Sequence, residues 1–265
     1  MRSEAFTQNP SLFPSDSAIW RITREHVLLL GGPAAAILQI AHPQVALGVA
    51  AHSDFRRNSL GRLRRTLDAV YTITFAPRAE VETMAERVRA SHARVQGETP
   101  QPYSAFSPDA QMWVVATLVQ LSIEMFGRFV APLKATECEA FYHDMRIFGV
   151  FFGLPFSHGP QSWAEFTKYY AGMLAGDLLG NLPVSAELAR HIAYPRKPAH
   201  LRVLWPLSGS AAREFLPSPL REKLGLPRTT ASRLAAATMD ALLPGLIPLL
   251  PPGLRFARKY RLASG

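Results

Sequence analysis

The run "ERVRASHARVQGE" at 86–98 contains the histidine that most needs an explanation. If the segment is helical, Val81, Met84, Val88 and Val95 recur at three- and four-residue spacing on one apolar face, and His92 lies on that face with them. The opposite side carries Glu86, Arg87 and Arg89. An imidazole turned toward apolar surface must find a hydrogen-bond partner or a metal, because unpaired buried nitrogens cost roughly 1–3 kcal/mol. Two readings follow: a hydrogen-bonded core histidine or a metal ligand. Periodicity by itself favours the first.

Other residues could take part in chemistry. Arg62 and Thr66 are four apart and share one side of a helix beside leucines expected to face inward. Arg62 could present its fork of donors to a carboxylate; read alone, it is a snorkelling surface arginine. His42 ends the apolar run "AILQIA" and precedes Pro43, with Gln39 one turn earlier, so it is either a cap, a satisfied core group or a polar group over a pocket. His52 leads "HSDF", where Ser53 or Asp54 can cap the next helix. His26, His191 and His200 lie among Arg, Lys or Pro and read as surface residues, and His158 sits in the turn-like "PFSHGP".

Several chemistries are excluded by missing motifs. There is no E-x-x-H on a helix for a di-iron bundle, no H-E-x-x-H, no G-x-S-x-G, no phosphate loop and no G-x-G-x-x-G. The single Cys138 can form no internal disulfide, and no C-x-x-C exists to hold zinc or attach heme covalently.

The elements that must position these residues are helical nearly throughout, and one all-α globular domain of many helices is expected. An irregular arm at 1–16 contains Asn9-Pro10 and Phe13-Pro14. Helices are predicted over about 18–30, "AAAILQIA", "QVALGVAAH", "SLGRLRRTLDAVYTITF" with Leu60, Leu63, Leu67, Val70 and Thr74 inward, and a helix ending at His92. Further helices begin at Ser107-Pro108, span about 134–152 and 160–180, and include "TTASRLAAATMDALL". The four prolines of "PGLIPLLPPGL" should preclude a continuous helix. Residues 17–195 are taken as the main domain, with 196–265 as a Pro-rich extension packed on it.

The 265 residues are 48% hydrophobic and 18% charged, enough apolar material for one large core. No stretch of about 20 residues escapes charge, Pro or Gly, and the N-terminus lacks the apolar centre of a signal peptide, so a cytoplasmic protein is expected. The net charge of +9 invites a nucleic-acid reading. The basic clusters "RRNSLGRLRR" and "RFARKYR" are weak, which argues against nucleic acid and for a solvated face or an anchor for acidic lipid.

Several segments together carry a family resemblance: "LLLGGPAAAILQIAHPQVALGVAAHSDFRRNSLGRLRRTLDAVYTITFAPRAE", then "HARVQG", then "YSAFSPDAQMWVVATL". Over about residues 22–180 the chain resembles the rubber oxygenase and MpaB catalytic-domain family, which includes latex-clearing proteins. The resemblance implies a globin-like helical core holding a non-covalent heme b. The family's arginine, three residues, threonine and distant histidine fall on Arg62, Thr66 and His92. His92 is thereby the implied iron ligand, Arg62 a partner for a heme propionate, Thr66 a pocket residue, and Val88 and Val95 the cover of the porphyrin. His42 is the better candidate for the distal polar group, ahead of Gln39, His52 and Asp54. In one departure, Val115 of "WVVATL" stands where the family often has a histidine.

The function implied is a heme-dependent oxygenase that oxidises or cleaves an apolar small molecule, such as an alkene, with dioxygen and, for some chemistries, an electron donor. A non-catalytic heme-binding or gas-sensing protein is the alternative. A cofactor-free helical protein using "RFARKYR" and "LIPLLPPGL" at acidic membranes is a third reading.

Overall fold

The computed structural model describes residues 11–53, 59–194 and 205–264. The protein is mostly helical and folds around one hydrophobic core. In chain order α1 is Ala18–Thr23, followed by a 3-10 helix His26–Gly31, α2 Gly32–Ala41, α3 Pro43–His52, α4 Ser59–Phe75 and α5 Arg78–His92. A two-residue hairpin, β1 Gln96–Gly97 and β2 Tyr103–Ser104, pairs Gln96 with Ser104 and Gly97 with Tyr103. Then come α6 Pro108–Phe129, α7 Ala135–Phe151, α8 Trp163–Ala175, α9 Pro183–Ala193, α10 Trp205–Glu214, α11 Ser218–Lys223 and α12 Thr230–Leu246. A 3-10 turn Ile247–Leu249, α13 Pro252–Arg255 and α14 Arg258–Ser264 complete the order.

Helix α2 lies at the centre, packed against α3, α6, α9 and α10. Its sequence explains why: Ala34, Ala35, Ile37, Leu38, Ile40 and Ala41 are all buried, and the small residues let neighbouring helices approach on several sides. Gly31, just before it, lies so close to α6 that an added Cβ would fall 2.9 Å from Met125 Cγ. Trp113 on α6 donates its indole N–H to the Leu38 carbonyl at 2.7 Å and stacks on Tyr170 at 5.6 Å. By length and composition α6 is apolar enough to cross a membrane, yet 61% of its apolar window is buried in this protein.

Three predicted features are corrected. The expected helix from 18 to about 30 breaks at Glu25, whose extended backbone bridges to Phe256. Helix α12 continues through Pro244 to Leu246 before the later prolines end it. Leu63, expected inward on α4, is 46% exposed, whereas Thr74, expected inward with it, is buried together with Ala69, Thr72, Ile73 and Phe75. Leu60 lies where side chains are not described.

The C-terminal helices close the same core. Helix α10 packs on α2, α12 on α6 and α14 on α4. Of the N-terminal arm, residues 11–16 are described, and Phe13 is 2% exposed in the core.

Both ends of the chain meet at Glu25. This carboxylate is 1% exposed and accepts two hydrogen bonds from Arg255, from Nε and Nη2, each at 3.0 Å. Arg255→Met should lower stability by about 2 kcal/mol in urea unfolding at neutral pH. That is less than the usual penalty for orphaning a buried charge, because Arg24 Nε stays 3.7 Å from Glu25. Unchanged stability would show that the pair offsets only its own desolvation.

Candidate functional site

His92 is the last residue of α5, and the chain turns immediately beyond it: the Ala93 N–H bonds to the Arg89 carbonyl and the Val95 N–H to that of His92. The apolar stripe leading there is buried at Val81, Met84 and Ala85, then half-buried at Val88, His92 and Val95. His92 Nδ1 is shielded from solvent and has no hydrogen-bond partner. Burial, and secondly the nearby Arg62 charge, lower its pKa, so the ring is neutral at pH 7. The Phe106 ring meets it edge-on at 6.4 Å.

Arg62 reaches this region from the second turn of α4. It is half-buried and donates from Nη1 to Ser53 Oγ at 3.1 Å; burial and the nearby Arg65 weigh against its charge. Helix α4 packs on α5, which is how residues thirty apart in sequence come within electrostatic reach. Thr66 follows Arg62 by one turn, but it is exposed. Alongside it, Leu63, Arg64, Arg65, Leu67, Asp68 and Tyr71 line an open cleft of about 570 Å³.

The hairpin and α3 wall this region. Tyr103 hydrogen-bonds through its hydroxyl to His52 Nε2 at 3.1 Å. A Cβ on Gly48 would come within 2.9 Å of Val95 Cγ1, so a bare glycine lets α3 approach the segment after His92. Gln111 holds the Phe106 loop by donating from Nε2 to the Ala105 and Phe152 carbonyls, both at 3.0 Å.

His42 sits in another neighbourhood. It is the N-cap residue of α3 with extended backbone, 3% exposed, and its Nδ1 also lacks a partner. Burial lowers its pKa to about 4, partly opposed by Asp109. Gln39 is tied to α6, donating from Nε2 to Thr117 Oγ1 at 3.1 Å. Asp109 also takes up His158, whose Nε2 lies 3.0 Å from its carboxylate. The structure therefore brings Arg62 to His92 and puts His42 within reach of the start of α6. Asp54 and His200 lie outside the described residues.

Val115 is buried and faces α7, where a Cβ on Gly149 would lie 3.5 Å from its Cγ2. Among the described residues, no group of three or more His, Cys, Asp or Glu is gathered as a protein-only metal cage would require. The sequence marked Ser53 only as a helix cap and gave no role to Tyr103, Phe106 or Gln111. Their only signal was membership of the recognisable "HSDF" and "YSAFSPDAQ" segments; the contacts arise when α3, α5 and the hairpin meet.

Residues 20–244 match the family described as ER-bound oxygenase mpaB/B'/Rubber oxygenase, catalytic domain, and the chain belongs to that family. Among curated proteins it is similar to Mb2261 of Mycobacterium bovis and Rv2237 of Mycobacterium tuberculosis, both named only as uncharacterized proteins. Each is 26% identical over 200 residues, which cover 73% of this chain and 71% of the relative. No solved structure matches the chain.

Proposed function

We propose that this oxygenase holds a non-covalent heme b through His92 and uses dioxygen to oxidise or cleave an apolar small molecule. The observation that carries the reading is the sealed, partnerless Nδ1 of a neutral His92 on an otherwise apolar face, with a guanidinium nearby. Membership of an oxygenase family supports the reaction class. When bound, heme supplies an iron centre whose behaviour toward dioxygen is set by the surrounding pocket.

The residues present fit that group. Neutral His92 offers a nitrogen lone pair without first losing a proton. Arg62 is suited to pair a propionate carboxylate through its planar fork, with Ser53 steadying the side chain. Val88, Val95 and the Phe106 ring, edge-on to His92 at 6.4 Å, would cover the porphyrin, and Thr66 offers a hydroxyl one turn from Arg62. His42, neutral at pH 7 because its pKa is about 4, would offer substrate a neutral hydrogen-bonding group rather than a standing cation.

The test is titration of the purified protein with hemin, followed by oxygen uptake in the presence of an apolar alkene, with and without a reductant. A Soret band saturating near one heme per chain is expected, followed by alkene-dependent oxygen consumption. Uptake without reductant indicates insertion of both oxygen atoms; a reductant requirement indicates that one is reduced to water by two electrons and two protons. No Soret change would overturn the cofactor assignment. Heme binding without turnover of any alkene would favour a gas-sensing or heme-storing role.

A further inference from the structure

We propose that the C-terminal segment carrying the exposed Leu246, Leu249 and Leu254, with Arg258 and Arg261 following, docks this protein onto the surface of an acidic lipid bilayer. Single exposed leucines are ordinary on soluble proteins. Here residues 241–254 form an uncharged run in which Leu246 is 49% exposed, Leu249 79% and Leu254 65%. Leu242, one turn before Leu246, is 53% exposed and extends the stripe along the end of α12. A concentration of exposed apolar surface in one short segment marks an interaction site.

The charge around this segment selects the occupant. No acidic residue follows Asp240, whereas Arg255, Arg258, Lys259 and Arg261 do. Two of these are engaged internally: Arg255 with Glu25, and Lys259 with Asp68 at 3.4 Å and with the Thr72 hydroxyl. Arg258 and Arg261 remain on the exposed side of α14 with Leu262, at the i, i+3 and i+4 positions of one helical face. Leucines followed by arginines, with no carboxylate after Asp240, match the acyl–headgroup boundary of an anionic leaflet.

The shape favours lying on the membrane rather than spanning it. The uncharged run is too short to cross, and Pro248, Pro251 and Pro252 divide it into a 3-10 turn and a single turn of helix. Its backbone is anchored from behind: His26 Nδ1 lies 2.9 Å from the Leu254 carbonyl, and the Ala257 N–H donates to that of Arg24 at 2.8 Å. The leucines are therefore presented by a fixed scaffold. Most of this segment also lies beyond residue 244, where the family match ends.

Co-sedimentation of the full chain with phosphatidylcholine vesicles, with and without phosphatidylglycerol, tests the proposal. Wild type should bind the acidic vesicles at low salt, less at high salt, and the neutral ones weakly. Arg258→Glu with Arg261→Glu should remove the preference for acidic lipid. Leu249→Ser with Leu254→Ser should weaken partitioning roughly tenfold or more by removing inserted apolar area. Because both leucines are exposed, the variant should melt with wild type; if it does not, Leu249→Ser alone carries the test. Absence of wild-type binding to acidic vesicles overturns the proposal, as does unchanged binding of the folded leucine variant. A wild-type dimer in light scattering that the leucine variant dissolves would also overturn it, assigning the face to a second copy.

Discussion

His92→Ala is expected to lower heme affinity by roughly 100-fold or more and to abolish or shift the Soret band, while leaving the cofactor-free protein about as stable as wild type. The two halves of this expectation have one origin. In the cofactor-free protein His92 Nδ1 is buried without a partner, so removing the ring also removes an unsatisfied polar atom. The packing lost on a half-buried face partly offsets that gain. With heme bound as proposed, the same substitution would remove the nitrogen that holds the iron, leaving packing and Arg62 to retain the cofactor. Heme titrations and thermal melts of both proteins separate the roles. A spectrum and affinity equal to wild type would make His92 a structural histidine; a large loss of cofactor-free stability would show that the ring is mainly core. His42→Ala is the informative companion, because it should retain the Soret band and alter the oxygen adduct and turnover.

Acidification from pH 6.5 to 4 should cost wild type up to about 3 kcal/mol more stability than His42→Leu. The folded-state pKa of His42 is about 4, below the ordinary 6.5, chiefly because burial disfavours the charged ring. The unfolded chain therefore binds a proton across this window that the folded chain refuses, and stability rises with pH. The contribution is fully present above 6.5, declines as pH falls toward 4, and is lost below it. A difference of roughly 2.5 pKa units corresponds to about 3 kcal/mol. Leucine is close in size and does not titrate, so urea unfolding at several pH values isolates the effect. Parallel pH profiles for the two proteins would mean that His42 is hydrated or partnered in solution.

If His42 acts in the proposed reaction, a ring that stays neutral above about pH 4 would give no acidic limb near pH 6, and a limb there would come from another group.

Much of this molecule was legible in the chain itself. Helices α2 to α5 begin and end where Gly, Pro and periodic apolar residues place them, because capping and amphipathicity act within a turn or two. The quoted segments through "YSAFSPDAQMWVVATL" identified the oxygenase family. The apolar face of His92 followed from spacing alone, since 81, 84, 88 and 92 must align on any helix, whereas Val95 lies beyond the helix end.

What spacing could not decide was which of several similar faces turns inward. On α4 the leucine stripe looked buried, yet Leu63 borders an open cleft while Ala69, Ile73 and Phe75 enter the core, because packing by α1, α5 and α14 outweighs local hydrophobicity. The break at Glu25 depends on Phe256 and Arg255, more than two hundred residues away. The same is true of the site. Arg62, Ser53, Phe106 and His92 are dispersed over more than fifty residues, and only the docking of α4 on α5 and the fold of the hairpin put them together. Sequence supplies residue types and local faces; neighbourhoods and burial, which set the charge states of His42 and His92, are properties of the packed chain.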